Sequence, residues 1–281
     1  MINFFIEPLS FGFIRNALIM IVLLGILCSI TGSFLIVQKM GFLGEVIAHA
    51  VLPGLAIAFF VGIDIFIGAF ISGMFSSLII AWIQANSRVK VDVAMSLVFS
   101  GFFALGILLI SLLRSNIDLH KFLFGDILGV TGFDLWRTFF IAVIIIIFTK
   151  LFYPYLLFYT FNPLGARAVG LPVTLINLGL VSAITLTIIA SMQGVGVVLV
   201  VSLLVGPSIT AYLLVKELHQ MMILGSIFGS VGGALGIYLS YHWNVPSGAT
   251  IVLVITIQFL LAFLFSPSQG VLTGLWAKSW Q

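Results

Sequence analysis

Charge is what this 281-residue sequence has least of. Only 7% of its residues are charged, 11 Lys and Arg against 8 Asp and Glu, where a soluble domain carries about 25%. So few charges cannot cover the surface of a soluble protein of this size, which excludes a soluble globular enzyme and a disordered chain. Cysteine is nearly missing as well. The single Cys28 cannot close an internal disulfide, which excludes a secreted disulfide scaffold, and its apolar surroundings mark it as a small packing residue. No long polar segment, internal repeat or low-complexity tract interrupts the chain, so residues 1–281 read as one domain. A G-x-x-x-x-G-K-[ST] nucleotide loop is also lacking.

Apolar residues fill the space that charge leaves. Hydrophobic types make up 62% of the chain and the mean hydropathy is +1.33. A membrane strand alternates apolar and polar residues, whereas runs such as 141–148 are apolar on every face. The chain therefore reads as an all-α, polytopic transmembrane bundle, each span needing about 20 apolar residues. The candidate spans are 13–38, 46–61, 63–84, 91–113, 136–159, 170–190, 194–215, 221–243 and 246–266. The second is short and holds Pro53 and Gly54, and the seventh contains Gly206-Pro207, which is expected to break it. Eight or nine spans follow, some short or broken. The first run, from about Phe11, has no small-residue cleavage pattern after it and reads as a retained span.

Positive charge sets the orientation. With nine spans, Lys39, Arg88, Lys90, Lys150, Arg167, Lys216 and Lys278 fall on one side, and Arg15, Arg114, Lys121 and Arg137 on the other. The first set is assigned to the cytoplasm. The net charge of +3 is thus a property of membrane loops and points to no nucleic-acid partner. Gly225, Gly229 and Gly233 recur every fourth residue, with Gly232 and Gly236 as a second pair, a stripe that lets a neighbouring helix approach closely in lipid.

Ionisable groups at membrane depth are costly and mark function. Glu7, Asp64, Asp92, Asp118, Asp126, Asp134 and Glu217 all fall near loops. Glu45 and His49 open the second span instead, at i, i+4, which places both side chains on one helical face. Oxygen plus nitrogen suits Mn²⁺, Fe²⁺ or Zn²⁺ better than Ca²⁺ or Cu⁺. The same pair also reads as a proton relay or as a carboxylate and imidazole that merely neutralise each other. Pro53 and Gly54 are expected to bend the helix just past His49 and free carbonyls beside it. His120 and His219 fall in loops. Asp64, His242 and Asn244 are candidates for lining an entrance at the outer end, with Trp243 as an interfacial anchor. The segment from Phe161 to Pro172, amphipathic and basic, is the candidate docking element for a motor protein.

At these residues the chain resembles the membrane permease subunit of the metal-cation ABC importers, which take up manganese, zinc and iron. That family carries a segment of the form G-D-x-x-S-H-A-x-L-P-G. The stretch Gly44-Glu45-Val46-Ile47-Ala48-His49-Ala50-Val51-Leu52-Pro53-Gly54 matches it, with Glu45 for the usual Asp and Ala48 for the usual Ser. Further matches run in the same order. They are Phe124 to Gly129; Asn162 to Gly170, with Asn162 where Asp is common; Val195 to Leu214; and Pro246-Ser247-Gly248, with Asn244 for a usual Asp.

The resemblance implies a metal site at Glu45 and His49, and an ATPase-docking segment carrying Asn162, Pro163, Ala166, Arg167 and Gly170. It implies a separate ATP-binding subunit, a second copy of the chain, an extracytoplasmic solute-binding protein, and a place in the lipid of the bacterial inner membrane. The chain itself would be no enzyme. It would hold no permanent cofactor, only a transported divalent ion, with Mn²⁺ favoured by the His-Ala-Val-Leu-Pro-Gly form of the early block. Two other readings remain open at this level: a stand-alone secondary transporter with a Glu–His relay, and a membrane scaffold.

Overall fold

The computed structural model describes residues 7–113 and 125–266. Arg114, Asp118, His120, Lys121, Phe124 and Lys278 lie outside the described residues. Among those described, every long regular element is a helix, and nine stretches are long and apolar enough to cross a membrane.

The first span is α1 (Gly12–Val37). The second is built from two pieces, α2 (Leu43–Ala50) and α3 (Leu52–Val61), meeting at Val51. Then follow α4 (Ile65–Asn86), α5 (Val91–Leu112), a 3-10 turn at Ile127–Gly129, and α6 (Gly132–Leu151). Two short helices, α7 (Tyr153–Phe161) and α8 (Pro163–Ala168), connect to α9 (Val173–Val195), α10 (Val197–Leu214), α11 (Leu218–Trp243) and α12 (Ser247–Phe265).

Two expected boundaries move. The fifth span, expected over 136–159, is α6 alone. The chain breaks at Phe152, and Pro154 sits in the first turn of α7, where a missing amide proton costs nothing. The seventh span does not break at Gly206-Pro207. Pro207 lies buried inside a continuous α10, as membrane helices allow when neighbours cover the local backbone. Gly32 of α1 supplies that cover: a Cβ there would collide with the Leu204 carbonyl oxygen.

Three of the acids near loops serve helix starts. Asp64 accepts from the Phe66 amide (2.8 Å), Asp126 from the Gly129 amide (3.1 Å), and Asp134 forms a capping box with Thr131. Each satisfies amides that helix starts leave open.

The core is organised around α1, two thirds of whose most apolar stretch is buried, against about a fifth (22%) for α5. The helix α1 packs most extensively along α11 and α10, and α9 and α6 complete its surroundings. The glycine stripe explains the first contact. Gly225 sits beside Ser29, Gly229 against the backbone of Gly25, and Gly233 over Ile21, so the two helices run antiparallel at close range. Gly232 and Gly236 face Gln258 and Ile251 of α12. A Cβ on Gly25 would lie 2.6 Å from the Ser230 amide nitrogen. Cys28 is buried in the same region with its Sγ 3.5 Å from the Ser191 Oγ.

Candidate metal-permeation site

The short helix α2 carries the pair read from the sequence. Its first turn holds Glu45, where a carboxylate is stabilised by the open amides of the helix start. One turn on, the His49 Nε2–H donates to Glu45 Oε1 at 2.9 Å; a carboxylate only accepts, so the imidazole must be the donor. The start of α2 lies deep in the bundle, because Gly44 abuts Leu204 near the middle of α10.

The two partners differ in access. The Glu45 side chain keeps 34% of its surface, that of His49 only 11%. Two rings of α5 account for the difference. Phe99 and Phe103 stand parallel to each other, 5.9 Å apart and 3° from coplanar orientation. The His49 ring meets both edge-on, at 5.1 and 5.2 Å and 89°. This geometry is attractive for aromatic pairs and fixes the plane of the imidazole. The His49 Nδ1 is buried without a hydrogen-bond partner among the described residues.

Just past His49 the regular helix is interrupted at Val51, whose backbone stays in the helical region (φ −75°, ψ −18°). The expected freeing of carbonyls is met locally: the Ala50 carbonyl accepts from the Ser72 hydroxyl of α4 at 2.6 Å. Beyond it, Gly54 and Gly68 let α3 and α4 cross backbone to backbone.

Glu45 opens into a cavity of about 880 Å³. Phe42 and Phe99 form one wall, Val201, Ser202 and Val205 of α10 another, and Thr256 and Phe259 of α12 a third. A second cavity of about 800 Å³ lies toward the end of the bundle opposite Lys39, between Asp126, the turn at Gly196, and the α11–α12 connection at Asn244 and Ser247. Val198 lines both. The two cavities therefore adjoin along one face of α10. No group of three or more His, Cys, Asp and Glu side chains clusters among the described residues, so Glu45 and His49 supply at most two ligands from such side chains.

The other candidates separate. Asn244 lines the outer cavity, in the left-handed conformation that closes α11 (φ 51°). Asp64 caps α4 and His242 turns its Nδ1 to the Tyr238 carbonyl at 2.8 Å, and neither lines that cavity. Asp126, Ser202, Thr256, Phe99 and Phe103 line or brace the two cavities without having been singled out as site residues by the sequence. Phe99 and Phe103 do share one face of α5 at i, i+4, but apolar residues on most of the other faces leave that one unmarked.

On the opposite end from Asn244, Asn162 Oδ1 accepts from the Gly165 amide at 2.8 Å and starts α8 at Pro163. Ala166 is fully buried, Arg167 is exposed, and Gly170 turns the chain at φ +83°. The surface so formed presents Leu164 and Val169, 78% and 71% exposed.

The family model described as the ABC 3 transport family matches residues 10–266. The chain belongs to that family. It is thus a transport component, an integral membrane permease. The chain is 45% identical over 269 residues to the manganese transport system membrane protein MntC of Listeria monocytogenes, covering 95% of this chain and 96% of that one. It is 40% identical over 273 residues to the manganese import system permease protein ScaB of Streptococcus gordonii, covering 97% and 98%. Among solved structures it is similar to PsaBC from Streptococcus pneumoniae in complex with Fab, at TM-score 0.86 and 40% identity, covering 96% of this chain and 98% of that one.

Proposed function

We propose that this permease carries Mn²⁺ inward as the membrane subunit of an ATP-driven importer, with Glu45 and His49 as the ligands that receive the ion inside the bundle. The observation that carries the reading is the 2.9 Å carboxylate–imidazole pair opening into a membrane-depth cavity. The manganese names of relatives that span nearly the whole chain support the choice of ion.

The physics follows from the cost of moving an ion through hydrocarbon. A bare dication in an apolar medium faces a penalty of tens of kcal/mol, so charged and polar ligands must replace its water step by step. The ion enters the outer cavity beside Asp126 and Asn244, passes Val198, and reaches the Glu45 carboxylate, whose charge offsets part of its own. The His49 Nε2 adds a nitrogen ligand once its proton has moved to the unpartnered Nδ1 or to water, with the ring held in plane by Phe99 and Phe103. Water, hydroxyls such as those of Ser202 and Thr256, or the same pair on a second copy of the chain complete the shell. Manganese binds N/O ligands more weakly than iron or zinc does, so this site favours passage over retention, and ion choice rests with a separate extracytoplasmic binding protein. The power stroke comes from a separate ATP-binding subunit seated on Leu164, Arg167 and Val169. The Lys- and Arg-bearing end faces the cytoplasm: among the described residues it holds Lys39, Arg88, Lys90, Lys150, Arg167 and Lys216, against Arg15 and Arg137 at the other.

The test is ⁵⁴Mn²⁺ uptake by proteoliposomes holding this chain and its ATPase. Glu45→Gln and His49→Ala are expected to lose uptake while the complex still purifies intact. Normal uptake by both variants overturns the metal-site reading. Uptake by this chain without any ATPase, abolished by an uncoupler, overturns the ATP-driven one in favour of a secondary transporter.

A further inference from the structure

A second large cleft lies away from the permeation face. The residues Ile26 and Ile30 of α1, Ile146, Thr149 and Lys150 of α6, and a strip of α11 from His219 to Val231 enclose a groove of about 940 Å³. Ile26 and Ile30 stand on the side of α1 turned away from Cys28 and Gly32, and Gly32 meets α10. The groove and the Glu45 cavity therefore occupy different sides of the bundle.

Three features define what fits the groove. Its walls are apolar, and the two serines in it have used their hydroxyls: Ser226 donates to the Met222 carbonyl at 2.7 Å and Ser230 to the Val22 carbonyl at 3.4 Å. Its length along α11, from His219 to Val231, is about 18 Å at 1.5 Å per residue, close to one leaflet of a hydrocarbon core about 30 Å thick. Its polar groups gather at the Lys-rich end. There Lys150 has no carboxylate within ion-pair distance among the described residues, and Tyr153 and His219 stand beside it. Burial raises the Tyr153 phenol above its ordinary pKa, with the His219 backbone opposing the shift, so the ring offers an O–H donor at neutral pH. Among the described residues, Glu217 is the one acid at this mouth. It is paired with His219 at 3.3 Å and well exposed, and Lys216 adjoins it.

From these we infer that the groove binds one anionic diacyl phospholipid of the cytoplasmic leaflet, its acyl chains along α11 and its phosphate on the Lys150 ammonium. Basic residues at the cytoplasmic end of an interhelical groove select anionic headgroups in this way. A second copy packed symmetrically on this face would instead bring ammonium against ammonium.

The test uses the full chain in mild detergent, offered equal amounts of phosphatidylglycerol and phosphatidylcholine and weighed intact by native mass spectrometry. Wild type is expected to retain phosphatidylglycerol in preference. Lys150→Gln lowers that preference about fivefold, and Lys150→Arg keeps it. Ser226→Phe, which fills the groove, lowers retention of both lipids. Equal retention by wild type, or a preference that survives Lys150→Gln, overturns the inference. So does cross-linking of two copies through Ile223→Cys, which would show a protein occupant.

Discussion

The two large clefts of this permease are built to opposite specifications. The cavity at α2 places a carboxylate and an imidazole at membrane depth, walls the imidazole with two phenylalanine rings, and joins a second cavity toward the end that carries Asn244. Among the described residues, the groove over α1 keeps its one charge without an ion pair at the Lys-rich end and satisfies both its serines internally. On the proposed route the first cleft takes an ion from water in stages, whereas the second is an apolar slot with a cationic rim. The difference teaches that volume alone identifies no permeation route here, because the larger cleft holds no ligand at membrane depth. Polar side chains placed where lipid would forbid them mark the route instead.

The comparison breaks most sharply at the pair itself. Glu45→Gln removes the charge that offsets the cation and is expected to cut Mn²⁺ uptake at least 100-fold, read as initial rates in proteoliposomes. The next effect lies on the cytoplasmic surface. Leu164→Asp places a charge on the exposed apolar tip of α8 and is expected to lower co-purification of the ATPase by about tenfold, measured by pull-down from membranes. A packing change ranks third. Gly229→Leu forces α1 and α11 apart and costs about 1–3 kcal/mol as an overpacked contact, seen as a lower unfolding temperature in detergent. The smallest effect sharpens the comparison most. Phe99→Leu keeps an apolar wall but loses one ring edge on His49, worth about 0.5–1.5 kcal/mol, and is expected to slow uptake about three- to tenfold without changing stability in the same measure.

Much of this organisation is legible in the amino-acid order, because the solvent is lipid. The apolar runs locate the nine spans, since few other signals compete with a 20-residue requirement. The i, i+4 spacing of Glu45 and His49 places them on one face regardless of tertiary structure. The glycine stripe of α11 announces a close neighbour, though not that the neighbour is α1. What stays hidden depends on partners distant in sequence. Pro207 looks like a break, yet the chain passes through it helically because α1 covers the adjacent backbone. Asp64 and His242 also make local contacts the sequence does not display, to the Phe66 amide and the Tyr238 carbonyl. The Phe99–Phe103 brace leaves no distinct mark in α5, where these are two of many apolar residues, so only the fold shows which two rings meet the imidazole.

The 2.9 Å bond between Glu45 and His49 has a consequence for turnover. Before arrival of the cargo, each member of the pair is already the other's tenant. On the proposed route an ion claims the imidazole nitrogen only by displacing the carboxylate and the Nε2 proton, and a charged hydrogen bond of this kind contributes about 1.5–3 kcal/mol. The same bond re-forms when the ion departs. Self-association of the ligands thus weakens capture and hastens exit by the same increment, which makes the pair a revolving door rather than a vault.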